Sequence, residues 1–468
     1  MITPLDSRVM DANAMALGVS TETLMGNAGK GIADYLAHHF SSQKIGIICG
    51  HGNNGGDGYA AACYLSDNVS IYTIDPLESI RSEPVLCYLK KCGKKVSPFE
   101  ECTFDFDVLV DCGLGTGVSG SLRPAYKEYV EKVNRFNGTV VSVDVPTGIG
   151  TDTAVLPDVT LTMHEIKTGM NDSNCGEIVI LDIDMPENAY RMTGRGDMLR
   201  YPIPSPDSHK GKNGRLLIVG GGPYFGAPAM AAMAALRVGT DLVTVAAPDS
   251  VYHEIACVNP TIMIQGLKGD RLCEDHLLDL LALSERNDAV LIGPGLGIDP
   301  KTVKTVNTFI ALCKKPMVID ADGINALPGT FTAKTQTVLT PHAMEFARLT
   351  GQKSKDEETV RSAAEMRKCS IVLKGRADII SDGKITRLNN TGCAGMTGAG
   401  TGDVLAGIIS GLLSKGLSAF DAGCLGAYIS GKAGEKAFEE KSYGMIATDV
   451  IDSIPLVLKE GLKGRKPQ

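Results

Sequence analysis

The stretch Lys44-Ile-Gly-Ile-Ile-Cys-Gly-His-Gly-Asn-Asn-Gly-Gly-Asp-Gly58 decides the fold class of this chain. Its opening, 44–50, is an apolar run of strand length. Its middle, Gly50-His-Gly52-Asn-Asn-Gly55, carries the spacing G-x-G-x-x-G, and a helical pattern follows over 57–65. Strand, glycine turn and helix in direct succession begin a βαβ unit, which builds a parallel sheet covered on both faces. The surrounding sequence repeats the theme. Apolar runs at 68–75, 107–113, 138–146, 159–163 and 177–183 read as further strands, with helices over 20–39 and 125–135. The expected class is α/β, with a Rossmann-like doubly wound sheet in the first half.

The passage Tyr201-Pro-Ile-Pro-Ser-Pro-Asp-Ser208 breaks this rhythm, because proline at alternate positions continues neither a helix nor a central strand. It predicts a boundary that separates a domain over 1–205 from one over 206–468. A chain of 468 residues exceeds one ordinary core. The alternation then restarts, with strands expected at 215–221, 241–248, 289–294, 315–321, 337–341 and 370–375. A hairpin, 378–381 and 384–388, turns through Asp382-Gly383, and two Gly- and Ala-rich helices follow at 401–414 and 419–440.

Composition narrows the function. Tryptophan is absent, aromatics are 5% and the formal net charge is −8, which argues against a base-stacking or phosphate-backbone partner. No apolar run approaches the roughly 20 residues that span a bilayer, and the first residues carry no basic, cleavable leader. The 13 cysteines are scattered and include no C-x-x-C pair, so small buried side chains are expected rather than disulfides or metal ligands. The expectation is a cytoplasmic enzyme of small molecules that forms a homo-oligomer, with no nucleic-acid or membrane partner.

Taken alone, the first glycine loop is a dinucleotide fingerprint: pyrophosphate on the helix N-terminus and Asp75, ending the next strand, on a ribose. Gly115-Thr-Gly117-Val-Ser-Gly120 repeats the spacing, so tight turns explain either loop equally well. The side chains beside them say more. Asn53, Asn54 and Asp57 crowd one turn, Asp111 ends a strand, and Asp144 and Thr147 end another. In a parallel sheet these ends share one edge, where oxygens could hold a hard cation or cap helices. In the second half, Thr397-Gly-Ala-Gly-Thr-Gly-Asp403 precedes an apolar helix. Its backbone N–H groups form an anion hole, and Asp403 suits a general base in phosphoryl transfer. The alternative is an acid that merely favours the helix dipole.

Asn53-Asn-Gly-Gly-Asp-Gly58, Val110-Asp-Cys-Gly-Leu-Gly-Thr-Gly117 and Val143-Asp-Val-Pro-Thr-Gly148 together resemble the NAD(P)H-hydrate epimerase domain, over about residues 1–200. The resemblance implies a potassium ion on Asn54, Asp111 and Thr147. It implies substrate on Asn53, Asn54, Gly55, Gly56 and Asp57, on Gly115, Thr116, Gly117, Val118, Ser119, Gly120 and Ser121, and on Asp144 at the reacting ring. Asp144 is the first candidate to move the proton and Lys167 the second. Lys167 sits in Thr160-Leu-Thr-Met-His-Glu-Ile-Lys-Thr-Gly169, which departs from the family's aromatic- and proline-containing version, and a surface lysine is the alternative.

The second half resembles the ribokinase-like superfamily, an α/β/α fold. His209-Lys-Gly-Lys-Asn-Gly214, Gly220-Gly-Gly-Pro-Tyr-Phe-Gly-Ala-Pro228, Gly293-Pro-Gly-Leu-Gly297 and Thr340-Pro-His-Ala-Met-Glu345 narrow the match to the ADP- or ATP-dependent NAD(P)H-hydrate dehydratase, over about 208–460. This implies substrate at Ala227, Gly295, His342 and Asp403. It implies adenine nucleotide at Lys374, Gly375, Arg376, Ala377, Asp378 and Gly402, with magnesium, and ADP as the better bet over ATP. Phosphorylating the hydrate's hydroxyl would turn a poor leaving group into a good one. Cys393 stands where the family usually has a polar residue, and a packing role is expected. The rival is a small-alcohol kinase fused to a non-catalytic binding or interaction module.

Overall fold

Branched apolar side chains fill the strand runs of the first half, as a sheet covered on both faces requires. In the computed structural model, which describes residues 1–66, 68–118 and 120–465, the first unit is Met1–Ala189. It holds β1 (Ile45–Cys49), β2 (Val69–Thr73), β3 (Val96–Pro98), β4 (Val108–Cys112), β5 (Thr139–Val143), β6 (Val159–Met163) and β7 (Glu177–Leu181). All pair in parallel, in the order β3-β2-β1-β4-β5-β6-β7. Ile47 and Ile48 enter different core clusters, one on each face. Strand order reverses between β1 and β4, and the crevice outside those strand ends is where open α/β sheets bind ligands.

Glycine lets a helix sit close to that crevice. A Cβ on Gly55 would lie 2.0 Å from the Gly50 carbonyl oxygen, and one on Gly58 would lie 2.8 and 2.9 Å from Cys49 and Cys112 Sγ. Any side chain there would push the helix Asn53–Tyr64 off β1 and β4.

The second unit, Tyr190–Gln468, holds β8 (Arg215–Val219), β9 (Leu242–Pro248), β10 (Met263–Leu267), β11 (Ala289–Ile292), β12 (Met317–Ile319), β13 (Thr337–Leu339) and β14 (Ser370–Leu373). The hairpin β15 (Asp378–Ser381) and β16 (Thr386–Asn389) completes its sheet, ordered β10-β9-β8-β11-β12-β13-β14-β15-β16. Only the hairpin strands run antiparallel. Leu216 and Ile218 join one core cluster and Leu217 and Val219 the other, so helices cover both faces. The small residues expected in the closing helices permit tight packing: a Cβ on Gly407 of Thr401–Ser414 would meet the Ala231 carbonyl oxygen at 2.3 Å. No helix among the described residues is long and apolar enough to cross a membrane.

The units divide at Ala189–Tyr190, ahead of the expected boundary at 205/206. Residues 190–205 belong to the second unit because polar contacts bind them there. Thr193 N donates to Leu388 O at 2.7 Å, and Met198 and Tyr201 lie in the second core. The fully buried Asp197 takes two bonds from Arg387, at 2.5 and 2.9 Å. The proline passage is a loop within that unit. Asp197→Asn should lower the stability of the second unit by about 3–5 kcal/mol, since a buried guanidinium then lacks its counter-charge; the urea midpoint of that unit measures it.

Candidate active sites

In the first unit the ends of β1, β4, β5 and β6 open onto a cavity of about 770 Å³. Asn53, Asn54 and Asp57 reach it from the first turn of Asn53–Tyr64, which begins at Gly52 with no side-chain cap. Gly115, Thr116, Gly117, Val118 and Ser121 reach it from the loop after β4, Asp144 from the end of β5 and Lys167 from beyond β6. Gly55 and Gly56 are not on its wall; Gly55 abuts Gly50, and a Cβ on Gly56 would strike Met25 and Val85. Gly120 makes a turn at φ 85°, and Ser119 lies outside the described residues.

Lys167 is no surface lysine. Its side chain is 4% exposed, and Nζ lies 2.7 Å from Asp144 Oδ1, 2.9 Å from Thr162 Oγ1 and 2.8 Å from the Met163 carbonyl oxygen. All three ammonium donors are engaged, so Lys167 holds Asp144 in place rather than waiting for a proton. Asp144 has φ 64°, a left-handed conformation unusual for a side chain that is not glycine, fixed by its N–H bond to Leu161 O at 2.8 Å.

Sequence reasoning missed Asp11. Helix Pro4–Ala16 brings it to the cavity wall, where the side chain is exposed to the cavity but crowded by the protein that lines it. Burial, then the charge of Asp144, push it up to about 6, against a lowering pull from Lys167. Asp57 is pushed up too, by burial and by Asp144 and Asp11. Thr3, Pro4 and Asp6 form a capping box that marks the helix start, yet nothing in the sequence says where Asp11 faces.

The three residues implied as metal ligands differ in kind. Asn54 is 5% exposed, and neither its amide oxygen nor its amide nitrogen has a hydrogen-bond partner among the described residues. The fully buried Asp111 instead accepts from Tyr129 (2.7 Å), Ser142 (2.8 Å), Thr147 Oγ1 (2.6 Å), Thr147 N (2.9 Å) and Gly113 N (3.2 Å). It fastens the loops after β4 and β5 together. Thr147 Oγ1 also accepts from Leu114 N at 2.9 Å. None of the three caps the helix that starts at Asn53.

In the second unit the ends of β8, β11, β12, β13 and β14 form the corresponding edge. Helix Thr401–Ser414 starts at Gly400, with φ 94° and no side-chain cap. A Cβ on Gly398 would meet nothing within 4 Å, and one on Gly402 only Lys374 Nζ at 3.4 Å. The first-turn N–H groups are therefore open, with an ammonium alongside. Lys374 Nζ also lies 2.9 Å from Asp320 Oδ1, which accepts from Thr340 Oγ1 at 2.8 Å. Burial and then the charge of Asp320 push Asp403 up to about 7, against Lys374 and with Asp322.

Asp322 steadies the neighbouring loop by accepting from Gly297 N at 2.8 Å. Gly295, at φ 67°, lies where a Cβ would be 2.4 Å from the Tyr224 carbonyl oxygen. Ala227 is the second residue of helix Gly226–Arg237. His342 caps Ala343–Thr350: its Nδ1 accepts from Met344 N (3.1 Å) and Glu345 N (3.2 Å), which leaves the proton on Nε2. Gly375 and Arg376 are exposed beside Ala377, and Asp378 accepts from Gly375 N (3.0 Å) and Asn389 (3.0 Å). Cys393 packs against the core, its Sγ 3.7 Å from the Gly434 carbonyl oxygen.

With both sites described, comparison with known proteins is specific. A family model described as NAD(P)H-hydrate dehydratase matches residues 216–456, and one described as the YjeF-related protein N-terminus matches 21–169. The chain is 38% identical to the bifunctional NAD(P)H-hydrate repair enzyme Nnr of Methanothermobacter thermautotrophicus, over 98% of this chain and 96% of that one. It belongs to the family of bifunctional NAD(P)H-hydrate repair enzymes. The member from Archaeoglobus fulgidus is also 38% identical, over 97% of each chain. The solved ADP/ATP-dependent NAD(P)H-hydrate dehydratase of Bacillus subtilis, co-crystallised with ATP and magnesium, matches with TM-score 0.51 and 26% identity, over 58% of this chain and 98% of that one. A ribokinase-like protein of Enterococcus faecalis matches with TM-score 0.53 and 26% identity, over 58% and 96%. Family membership of both halves disfavours a small-alcohol kinase fused to an inert module.

The raised Asp403 makes a stability prediction. Unfolded, its carboxyl ionises near the ordinary 3.8; folded, it ionises at about 7. Below the unfolded value both states keep the proton and nothing is lost. The penalty grows as pH rises from there and is complete above about 7. Asp403→Asn should therefore stabilise the ligand-free second unit at pH 8 by on the order of 2 kcal/mol, and the gain should vanish near pH 4. Urea unfolding at the two pH values reads the difference.

Proposed function

We propose that the first unit interconverts the R and S forms of hydrated NADH and NADPH, and that the second dehydrates the S form while consuming ADP or ATP. The observation that carries this reading is the open helix start at Gly400, with Asp403 in its first turn and Lys374 at its rim.

In the second unit, the hydroxyl oxygen of the hydrate attacks the terminal phosphorus of the nucleotide and its proton passes to Asp403. A base that titrates at about 7 matches a neutral working pH. The phosphorus–oxygen bond to the rest of the nucleotide breaks, releasing AMP from ADP or ADP from ATP. The N–H groups of residues 398–402 and the Lys374 ammonium hold the migrating phosphoryl. The lone pair of the ring nitrogen then expels inorganic phosphate, and loss of the adjacent ring proton restores the dihydropyridine. In this reading Ala227, Gly295, His342 and Asp403 contact the hydrate, and Lys374, Gly375, Arg376, Ala377, Asp378 and Gly402 contact the nucleotide. Among the described residues no group of three His, Cys, Asp or Glu side chains is placed to hold a metal ion, so the nucleotide phosphates would supply most ligands of a magnesium ion, which would neutralise their charge.

In the first unit the hydrate is a carbinolamine. Its hydroxyl leaves as water, pushed by the ring nitrogen, once it gains a proton, and water returns to either face. Asp11, which keeps its proton up to about pH 6, gives the proton to the departing hydroxyl. Asp144, ion-paired with Lys167, takes one from the returning water. A potassium ion fits the unpartnered amide oxygen of Asn54 and the remaining lone pair of Thr147. Asp111, its oxygens occupied by Tyr129, Ser142, Thr147 and Gly113, would stand behind it as counter-charge.

The protein should regenerate NADH from its hydrate only when nucleotide is supplied, as followed by NADH absorbance, and Asp403→Ala should slow this about 10²–10⁴-fold. Recovery without nucleotide would remove the phosphorylation step. For epimerisation, kcat/KM should fall as pH rises through about 6, and Asp11→Asn should abolish that limb while lowering the rate. An unchanged pH profile in that variant would clear Asp11 of the role.

A further inference from the structure

The glycine loop after β1 leads one to expect an acid for the adenosine ribose at the end of β2, and Asp75 stands there. In the fold this carboxylate is already engaged. It is 9% exposed and accepts from Arg123 Nη2 at 3.0 Å, Tyr126 OH at 2.5 Å and His51 Nδ1 at 2.7 Å. Burial would push it up, yet the Tyr126 and His51 bonds and the nearby cations bring it below the ordinary carboxylate range. It cannot also receive two ribose hydroxyls.

The groups that cover Asp75 face the cavity in its place. Arg123 and His51 line the cavity with side chains 61% and 41% exposed. The Arg123 guanidinium is steadied over the Tyr126 ring, 5.0 Å from its centroid. Nη2 is engaged by Asp75 and the guanidinium also bonds the Tyr126 side chain, which leaves further N–H donors of its five on the exposed side, and no bond of His51 Nε2 to a described residue competes with a ligand. Arg123 cancels the Asp75 charge before any contribution from His51. An uncovered acid at this point would repel a phosphate, whereas this arrangement offers fixed donors and no net negative charge.

We propose that Arg123 and His51 form a subsite for the ribose 2′-phosphate, so that the first unit prefers hydrated NADPH to hydrated NADH. The proposal rests on the epimerase reading given above. The pyrophosphate is a second phosphate of the same molecule, but the uncapped helix start at Gly52 and the loop after β4 line the same cavity and offer it backbone N–H groups.

The test is kcat/KM for epimerisation of each hydrate by the full chain. The wild-type ratio of NADPH hydrate to NADH hydrate should exceed one. In Arg123→Met, which keeps an apolar stem over Tyr126, that ratio should fall about tenfold through a raised KM for the phosphorylated substrate. Arg123→Lys should recover part of it. Equal losses for both hydrates would assign Arg123 to the pyrophosphate or to folding and overturn the proposal, as would a wild-type ratio at or below one. If the wild type epimerises neither hydrate, the epimerase reading itself fails, which is a different result.

Discussion

Both sites depend on a helix whose start no side chain closes. Gly52 and Gly400 occupy the cap positions, and neither supplies an oxygen to the N–H groups of the next turn. Those donors remain open, and an anion that enters gains hydrogen bonds without displacing a protein group. Glycine sets this geometry twice over, since it removes the cap and lets the helix approach its neighbours, β1 and β4 in the first unit and helix Gly226–Arg237 in the second. In the proposed reading, phosphate recognition would be a property of the backbone, which an acidic chain with formal charge −8 can achieve without a basic surface.

Around these donors the protein crowds carboxylates that disfavour one another when no ligand is present. Asp11 and Asp57 rise through burial and through Asp144, and Asp403 rises through burial and Asp320. The two lysines treat this crowding differently. Lys167 is enclosed by Thr162, the Met163 carbonyl and Asp144, so it fixes one carboxylate and is unavailable to a ligand. Lys374 is anchored on Asp320 but lies beside the backbone of Gly402, where it also faces the open helix start. One ammonium fixes the position of Asp144, and the other adds positive charge beside an open helix start. Such ligand-free tension lowers stability at a site while preparing it for chemistry.

The features legible in the sequence were those written in local pattern. Continuous branched runs gave the central strands, and Asp382-Gly383 gave the hairpin of β15 and β16. Val96–Pro98 is too short to show a period and Met263-Ile-Gln-Gly-Leu267 interrupts its apolar run with Gln and Gly, so neither β3 nor β10 is legible in the sequence. Helix Ala447–Gly461 was hidden by Pro455 within it, and Pro4–Ala16 by its weak apolar stripe. The proline passage falls inside the second unit because the Asp197–Arg387 pair ties the residues just before it to β16, far along the sequence. The same blindness to distant partners applies to Asp75, whose position in the motif is correct but whose lone pairs belong to His51, Arg123 and Tyr126.

Asp11 shows most clearly why motif and site are not the same set. The family model begins at residue 21, yet residues before it bear directly on the cavity. Ile2 pairs with the loop that carries Lys167, its N–H bonded to Ile166 O at 2.9 Å and its carbonyl accepting from Thr168 N at 2.8 Å. Helix Pro4–Ala16 then runs on to bring Asp11 to the wall. A single N-terminal segment thus braces the loop that holds Asp144 and contributes the acid that opposes it. The position of both carboxylates on the cavity therefore rests on contacts made by residues that no glycine turn marks.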